Sequence, residues 1–389
     1  MPQRSNRPVG ANSSPAVSPA QRRRFAAHAQ RSHAVITALQ DEGGAYPACP
    51  TFSAYQGYSW LRDGGFIGEG VSRFGDIASA NAFHGWVTRV LAARRHTLDV
   101  TLERHRDGEQ VPMDHLLPTR YRLDGQNGST PWWNFQTDGY GTWLWALAAH
   151  SARHDLDPGR WLPGVEVALD FIAAFWDRPC YDWWEENPEQ RHVSTLAAVH
   201  GGLVAAANLP GLDTARAERA RQVAERIRAL VVAEGVVDDH LTKWLGSTAV
   251  DASLCAAIVP FGLVEMSTPV ATGTLTEVTQ QLCVDGGVHR FSADVFYGGG
   301  QWPLLSALLG WNLAATGNTA AATQLLTWVA DQADAEGLLP EQVDHHLLHP
   351  ESRSAWIERW GPVATPLLWS HAMYLILADE LGLLRGENP

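Results

Sequence analysis

The chain has 389 residues and a formal net charge of -13, with 29 lysines and arginines against 42 aspartates and glutamates, which leaves no broad electropositive surface for nucleic acid or anionic lipid. No apolar run approaches the eighteen or so residues of a membrane span, and no apolar signal core opens the chain, so a cytoplasmic protein is expected. Four cysteines, Cys49, Cys180, Cys255 and Cys283, lack a C-x-x-C spacing, which argues against a zinc knuckle or dithiol motif and for free, buried thiols.

Residues 1–21 are rich in Pro, Ser, Asn and Arg without an apolar period and read as a disordered tail. From residue 22 to 389 the expectation is a single domain, helical at nearly every step, with strands nearly absent. Two kinds of helix alternate. Amphipathic stretches with a charged face run from Arg24 to Gln40, Ser79 to Arg106, Gly164 to Trp176, Asp213 to Glu234, Pro269 to Cys283 and Asn318 to Glu336. Between them lie stretches that are apolar or small on nearly all sides: Gly65 to Phe74, Gly139 to His150, Ser194 to Asn208, Val250 to Leu263, Trp302 to Thr316 and Pro366 to Leu381. Helices apolar all round are buried ones. Six outer and six inner helices in alternation predict an all-α (α/α)6 barrel, although an open solenoid of helix pairs shows the same pattern.

Polar and aromatic clusters recur near the start of the inner helices. They are Trp60 to Gly65, Trp132 to Gly141, Tyr181 to Glu186, Lys243 to Ser247 with Asp251, Arg290 to Asp294 with Gly298 to Trp302, and Trp360 to Pro362. In a closed ring of parallel inner helices these clusters meet at one mouth, as a small-ligand pocket requires. Arg62 beside Asp63 offers a fork of donors and acceptors for vicinal hydroxyls, while Asp63 also suits a helix N-cap. Glu185 and Glu186 follow two indoles, a setting in which mutual repulsion and desolvation favour a proton on one of them, the state that a general acid needs; a solvated acidic turn after a helix is the equal alternative on these residues alone. Glu341, after Pro340, is a second carboxylate, and such a pair is the equipment for glycoside hydrolysis. Gly298 to Gly300 lacks the Lys-Ser/Thr of a phosphate loop and is read as allowing close approach of backbone to ligand. His345 and His346 do not have metal-site spacing and are expected on an exposed loop.

Taken in order, these motifs resemble those of glycoside hydrolase family 15, the glucoamylase family, from about Tyr55 to Leu381. Tyr58 to Asp63 resembles the family's grip on the terminal glucose, which implies sugar contacts for Trp60, Arg62 and Asp63. Trp132, six positions before Asp138, resembles a tryptophan on the acid's side of the pocket. Asp182 to Glu186 resembles the acid motif, implying Glu185 as general acid and Glu186 as a substrate contact. Arg290 and Asp294, with Trp302 eight residues further, resemble the family's sugar-contacting set, and Pro340-Glu341-Gln342 its general-base motif. Ala364 to Ala372 resembles the closing helix. Trp244 is read either as bordering the leaving group or as core.

The resemblance implies an inverting, exo-acting hydrolase that releases β-glucose from a short α-glucooligosaccharide, with no metal or organic cofactor. The chain has no room for the extra β-sandwich or starch-binding module of starch-degrading members, which favours α-1,6-linked, isomaltose-type substrates over α-1,4-linked ones or trehalose. A catalytically silent sugar-binding barrel is the alternative of another class.

Overall fold

In a computed structural model, which describes residues 17–128, 132 and 135–386, α1 (Pro19–Leu39) begins where Ser18 and Gln21 form a capping box, each side chain accepting from the other's backbone N–H. The helix therefore starts five residues before the expected Arg24 and takes residues 19–21 out of the predicted tail; residues 1–16 lie outside the described residues. The other helices are α2 (Leu61–Phe74), α3 (Ile77–Ala92), α4 (Arg95–Arg106), α5 (Asp138–Arg153), α6 (Leu162–Phe175) and α7 (Val193–Ala206). They continue with α8 (Thr214–Glu234), α9 (Pro269–Leu282), α10 (Pro303–Ala315), α11 (Thr319–Asp331), α12 (Arg353–Trp360) and α13 (Leu368–Glu380).

Helix boundaries follow local chemistry. Asp76, Asp213, Thr268 and Asn318 each accept a first-turn backbone N–H at the start of α3, α8, α9 and α11, as N-cap side chains do. Gly75 ends α2 in the left-handed conformation. Among the described residues strands are confined to short antiparallel pairs, including β1 (Tyr58–Trp60) with β2 (Arg120–Arg122), in which Ser59 lies opposite Tyr121.

The ring closes. Around the axis α2 packs on α5, α5 on α7, α7 on the segment Ala252–Ala257, that segment on α10, α10 on α13, and α13 back on α2. The fold is thus an (α/α)6 barrel and not an open solenoid. Outside this ring α1 covers α13, α3 covers α2, α6 and α8 cover α5 and α7, α9 covers Ala252–Ala257, and α11 covers α10. Close packing of the inner ring depends on small residues. A Cβ on Gly141 of α5 would fall within the van der Waals radius of the Ala198 carbonyl on α7, and one on Gly202 of α7 would strike Gly141 in return.

Two expected helices are corrected. The stretch from Val250 to Leu263 is a 3-10 segment over Ala252–Ala257 only. Asp251 caps it through Ser253, and Pro260 restricts Val259 and lacks the N–H that a continuing helix needs. The span from Ser79 to Arg106 is two helices, α3 and α4, which meet at Ala93 and Arg94. Helix α12, which was not expected, has no fully buried residue and lies across the mouth. Below the mouth the barrel axis is plugged by aromatics: Phe66 stacks on Trp369 at 5.4 Å and meets Trp183 edge-on at 5.7 Å.

Candidate active site

Five of the six recurring clusters converge as the alternation predicts, and the sixth, Lys243 to Ser247 with Asp251, stands behind the acidic turn. One pocket at the mouth, of about 200 Å³, is lined by Trp60, Arg62, Asp63, Trp132, Trp183, Trp184, Glu185, Glu186, Arg290, Trp302 and Glu341, among others. The aromatic plug of Trp183 and Trp369 closes its floor. Its volume is below the ~300–1,000 Å³ of drug-sized sites, so the cavity suits a small ligand entering from one end. Trp133 and Asn134 of the second cluster lie outside the described residues.

The acidic turn is built by Asp182, whose Oδ1 accepts the backbone N–H of Trp184 and of Glu186, both at 2.9 Å. The turn closes so tightly that Glu185 adopts φ +62°, a left-handed conformation costly for a residue with a Cβ and characteristic of functional sites. Lys243, almost fully buried, ties this turn to the next cluster: its Nζ lies 3.2 Å from Asp182 and 2.6 Å from Asp251. Asp251 in turn accepts from the Trp184 indole at 2.9 Å. An acid turn, an indole wall and a 3-10 cap are thereby held as one unit.

Glu185 and Glu186 line the same pocket but take different partners. The Glu185 carboxylate accepts from the Trp60 indole at 2.7 Å, the Gln136 amide at 3.0 Å and the Trp132 indole at 2.7 Å. Glu186 turns instead to Arg290, at 3.3 Å. The expected repulsion between neighbours is therefore not what acts on Glu185. Desolvation raises its pKa, and Arg62 and the three donors oppose that rise.

Across the pocket, Glu341 is 2 % exposed. Its Oε1 accepts from the Tyr55 hydroxyl at 2.9 Å, and its Oε2 is buried without a protein partner. Burial pushes the carboxyl up to about 8, with Tyr55 and Arg290 holding it down. Arg62 bridges Asp63 at 3.3 Å and Asp138 at 3.1 Å, and its guanidinium lies over the Trp369 ring. Asp63 sits in the first turn of α2 and is not its N-cap, a position held by Trp60; burial raises its pKa to about 6 against the pull of Arg62. Arg290 is held by Asp294 through two hydrogen bonds and faces the rings of Trp184 and Trp302.

Two expected contacts lie elsewhere. Asp294 is fully buried behind Arg290 and is not among the residues lining the pocket. Trp244 stands edge-on to His192 at 6.0 Å and likewise does not line it. The glycines Gly299 and Gly300 meet the chain itself: a Cβ there would strike the carbonyls of Asp294 and Val343. Their close approach is loop against loop, not backbone against ligand. Tyr55, Phe296 and Trp356 also line the pocket and escaped the sequence reading. Tyr55 sits in a turn, Phe296 in a 3-10 segment and Trp356 on α12, all outside the period of the inner helices.

Among the described residues there is no cluster of three metal-ligating side chains, and His345 and His346 are exposed. All four cysteines are unpaired, three of them buried. No helix among the described residues is long and apolar enough to cross a membrane.

An (α/α)6 barrel whose mouth encloses four carboxyls, two arginines and a wall of indoles belongs to the class of carbohydrate-cleaving barrels. The chain is a member of the glycosyl hydrolases family 15, which it matches over residues 25–335, a span ending just before Glu341. It is 65% identical over 357 residues to an isomaltose glucohydrolase of Kribbella flavida, covering 92% of this chain and 93% of that protein. A trehalase of Mycolicibacterium smegmatis is 28% identical over 296 residues, 69% of this chain and 43% of that protein. Among solved structures, a wild-type glycosidase superposes with a TM-score of 0.92 at 62% identity, covering 97% of this chain and all of that one. A glutamate-to-alanine variant, in complex with glucose, superposes equally well. The glucoamylase of Saccharomycopsis fibuligera shares the fold, with a TM-score of 0.68 at 14% identity over 96% of this chain and 98% of that one.

Proposed function

We propose that the protein is an inverting exo-α-glucosidase that removes β-glucose from the non-reducing end of short α-1,6-linked glucosides such as isomaltose. The observation that carries this reading is the small pocket, closed by aromatics at its floor, with Glu185 and Glu341 both on its wall. A terminal sugar fits such a blind pocket and the middle of a polymer does not. The α-1,6 preference rests on the 65% identity to a protein named for isomaltose. The four unpaired cysteines suit a reducing compartment, in keeping with a cytoplasmic enzyme.

In this reading Glu185 gives its proton to the glycosidic oxygen as the bond from C1 breaks. Glu341 takes a proton from the water whose oxygen bonds to C1 on the opposite face, so the configuration inverts. That chemistry needs the carboxyls roughly 6.5–9.5 Å apart, with water between them, and the unpartnered Oε2 of Glu341 supplies an acceptor for it. Arg62, Asp63, Glu186 and Arg290 hold hydroxyls of the terminal glucose, and Trp60, Trp132 and Trp302 form its walls. Asp294 acts on the sugar through Arg290.

A second reading exchanges the two roles, and one observation favours it. Glu185 receives three hydrogen bonds, an environment that suits the ionised form, whereas Glu341 receives one and is pushed up to about 8. The motif order supports Glu185 as acid, and α-glucosyl fluoride separates the two readings because fluoride leaves without a proton. Glu185→Gln should lose at least ~10²-fold on isomaltose while still hydrolysing the fluoride; Glu341→Gln should fail on both. The opposite pattern would exchange the roles. Proton NMR of the first glucose released should show the β-anomer, and initial α-glucose would refute inversion.

A further inference from the structure

A second cleft, of about 490 Å³, lies behind the loop that carries Glu341. The loop is the wall between the two cavities. The loop is pinned through its backbone: the Glu341 N–H donates to Ala364 O at 2.9 Å, and Val343 exchanges two backbone hydrogen bonds with Gln301, at 2.8 and 3.1 Å. Along this loop Glu341 lines the catalytic pocket while Pro340, Gln342 and Val343 line the cleft.

Gln342 is 4 % exposed. Its Oε1 accepts from the Gly300 N–H at 3.0 Å, which fixes the amide, and its Nε2 is buried with no partner in the protein. Gln332, on the same cleft, is the complement: its Nε2 donates to Trp328 O at 2.8 Å, and its Oε1 is buried and unpartnered. Buried amide groups are normally satisfied. On the rim Asp331 pairs with Arg24 and Asp344 with Arg353, while His345 is exposed to solvent. The two unpartnered amide atoms, one donor and one acceptor, belong to side chains that share the cleft with apolar surface such as Ile357. A hydroxyl group both gives and takes a hydrogen bond, and a sugar ring adds an apolar face. A phosphate or carboxylate would find no unpaired arginine among these rim residues.

We propose that this cleft is a second binding site for a neutral sugar, and that glucose is its ligand. The choice of glucose rests on the reading above, because that reaction releases it on the other side of the loop. Crystals of the full-length Glu185→Gln protein soaked in D-glucose, together with calorimetric titration of D-glucose into the wild type, Gln332→Leu and Ile357→Trp, test the proposal. Two glucose molecules are expected, one in each cavity. Both cleft variants should bind the second molecule at least ~10-fold more weakly, one by removing the acceptor and the other by filling the space, while hydrolysing isomaltose within about two-fold of wild type. Only ordered water in the soaked cleft, or a single equivalent of glucose in every protein, would overturn it. The reading under Proposed function is checked separately: sugar in the cleft without glucose release from any α-glucoside would defeat that reading and leave the second site standing.

Discussion

The residue that most changes the chemistry of the pocket is Tyr55, which no motif of its own announced. It sits in the turn before β1, and its hydroxyl reaches Glu341 across 286 positions of sequence. A hydrogen bond to the ionised form lowers a carboxyl's pKa, so Tyr55 works against the burial that pushes Glu341 up to about 8. Tyr55→Phe removes that donor. Glu341 should then titrate higher still, a larger fraction should hold a proton at pH 7, and kcat/KM at pH 7 should fall by roughly ten-fold or more. Carbon NMR of the labelled Glu341 carboxyl reads the shift, and an unchanged titration would exclude this role for Tyr55. Glu185 shows the reverse case. Its place in Asp182 to Glu186 was legible, but its surroundings were not: the neighbouring Glu186 was the obvious partner in sequence, whereas the real partners, Trp60, Trp132 and Gln136, come from other clusters.

At the level of elements, alternation of apolar and amphipathic stretches located the helices of both rings, because burial on all sides leaves a compositional mark. It failed where a short element did a helix's job: Ala252–Ala257 completes the inner ring as a 3-10 segment, its apolar run indistinguishable from a helix until Pro260 is given its backbone consequence. It also missed α12, whose residues stay partly exposed and so carry no clear period. The inner helices depend on contacts without side chains, most tightly between α5 and α7. Gly141→Ala places a methyl against the Ala198 carbonyl, and overpacking of this kind costs ~1–3 kcal/mol. The denaturant midpoint should fall accordingly, with an unchanged unfolding slope; a variant as stable as wild type would show that α5 and α7 can move apart freely.

For the whole molecule, closing the ring is what creates both the pocket and its electrostatic load. α13 meets α2, aromatics fill the axis, and the carboxyls at the mouth lose water. Glu341, raised to about 8, holds in the folded state a proton that the unfolded chain releases near pH 4.5. Its contribution is therefore fully present below about pH 4.5 and is lost as pH climbs to about 8; Asp63, raised to about 6, acts in the same sense. Glu341→Gln has no proton to lose. It should match wild-type stability at pH 4.5 and exceed it at pH 8 by on the order of a few kcal/mol, read from chemical denaturation at the two pH values. An equal difference at both would mean that the carboxyl is solvated in the folded enzyme.

The linear chain by itself determined the two kinds of helix, their alternation, and the motifs that carry Arg62, Asp63, Glu185, Arg290 and Glu341, because burial and local turn chemistry write themselves into neighbouring residues. Only the tertiary structure decided that the ring closes, that Glu186 and Asp294 serve Arg290 while Trp244 stands aside, and that Tyr55 reaches Glu341. Those are contacts between residues far apart in sequence, and no local pattern encodes which distant side chain will stand within hydrogen-bond reach once the helices have packed.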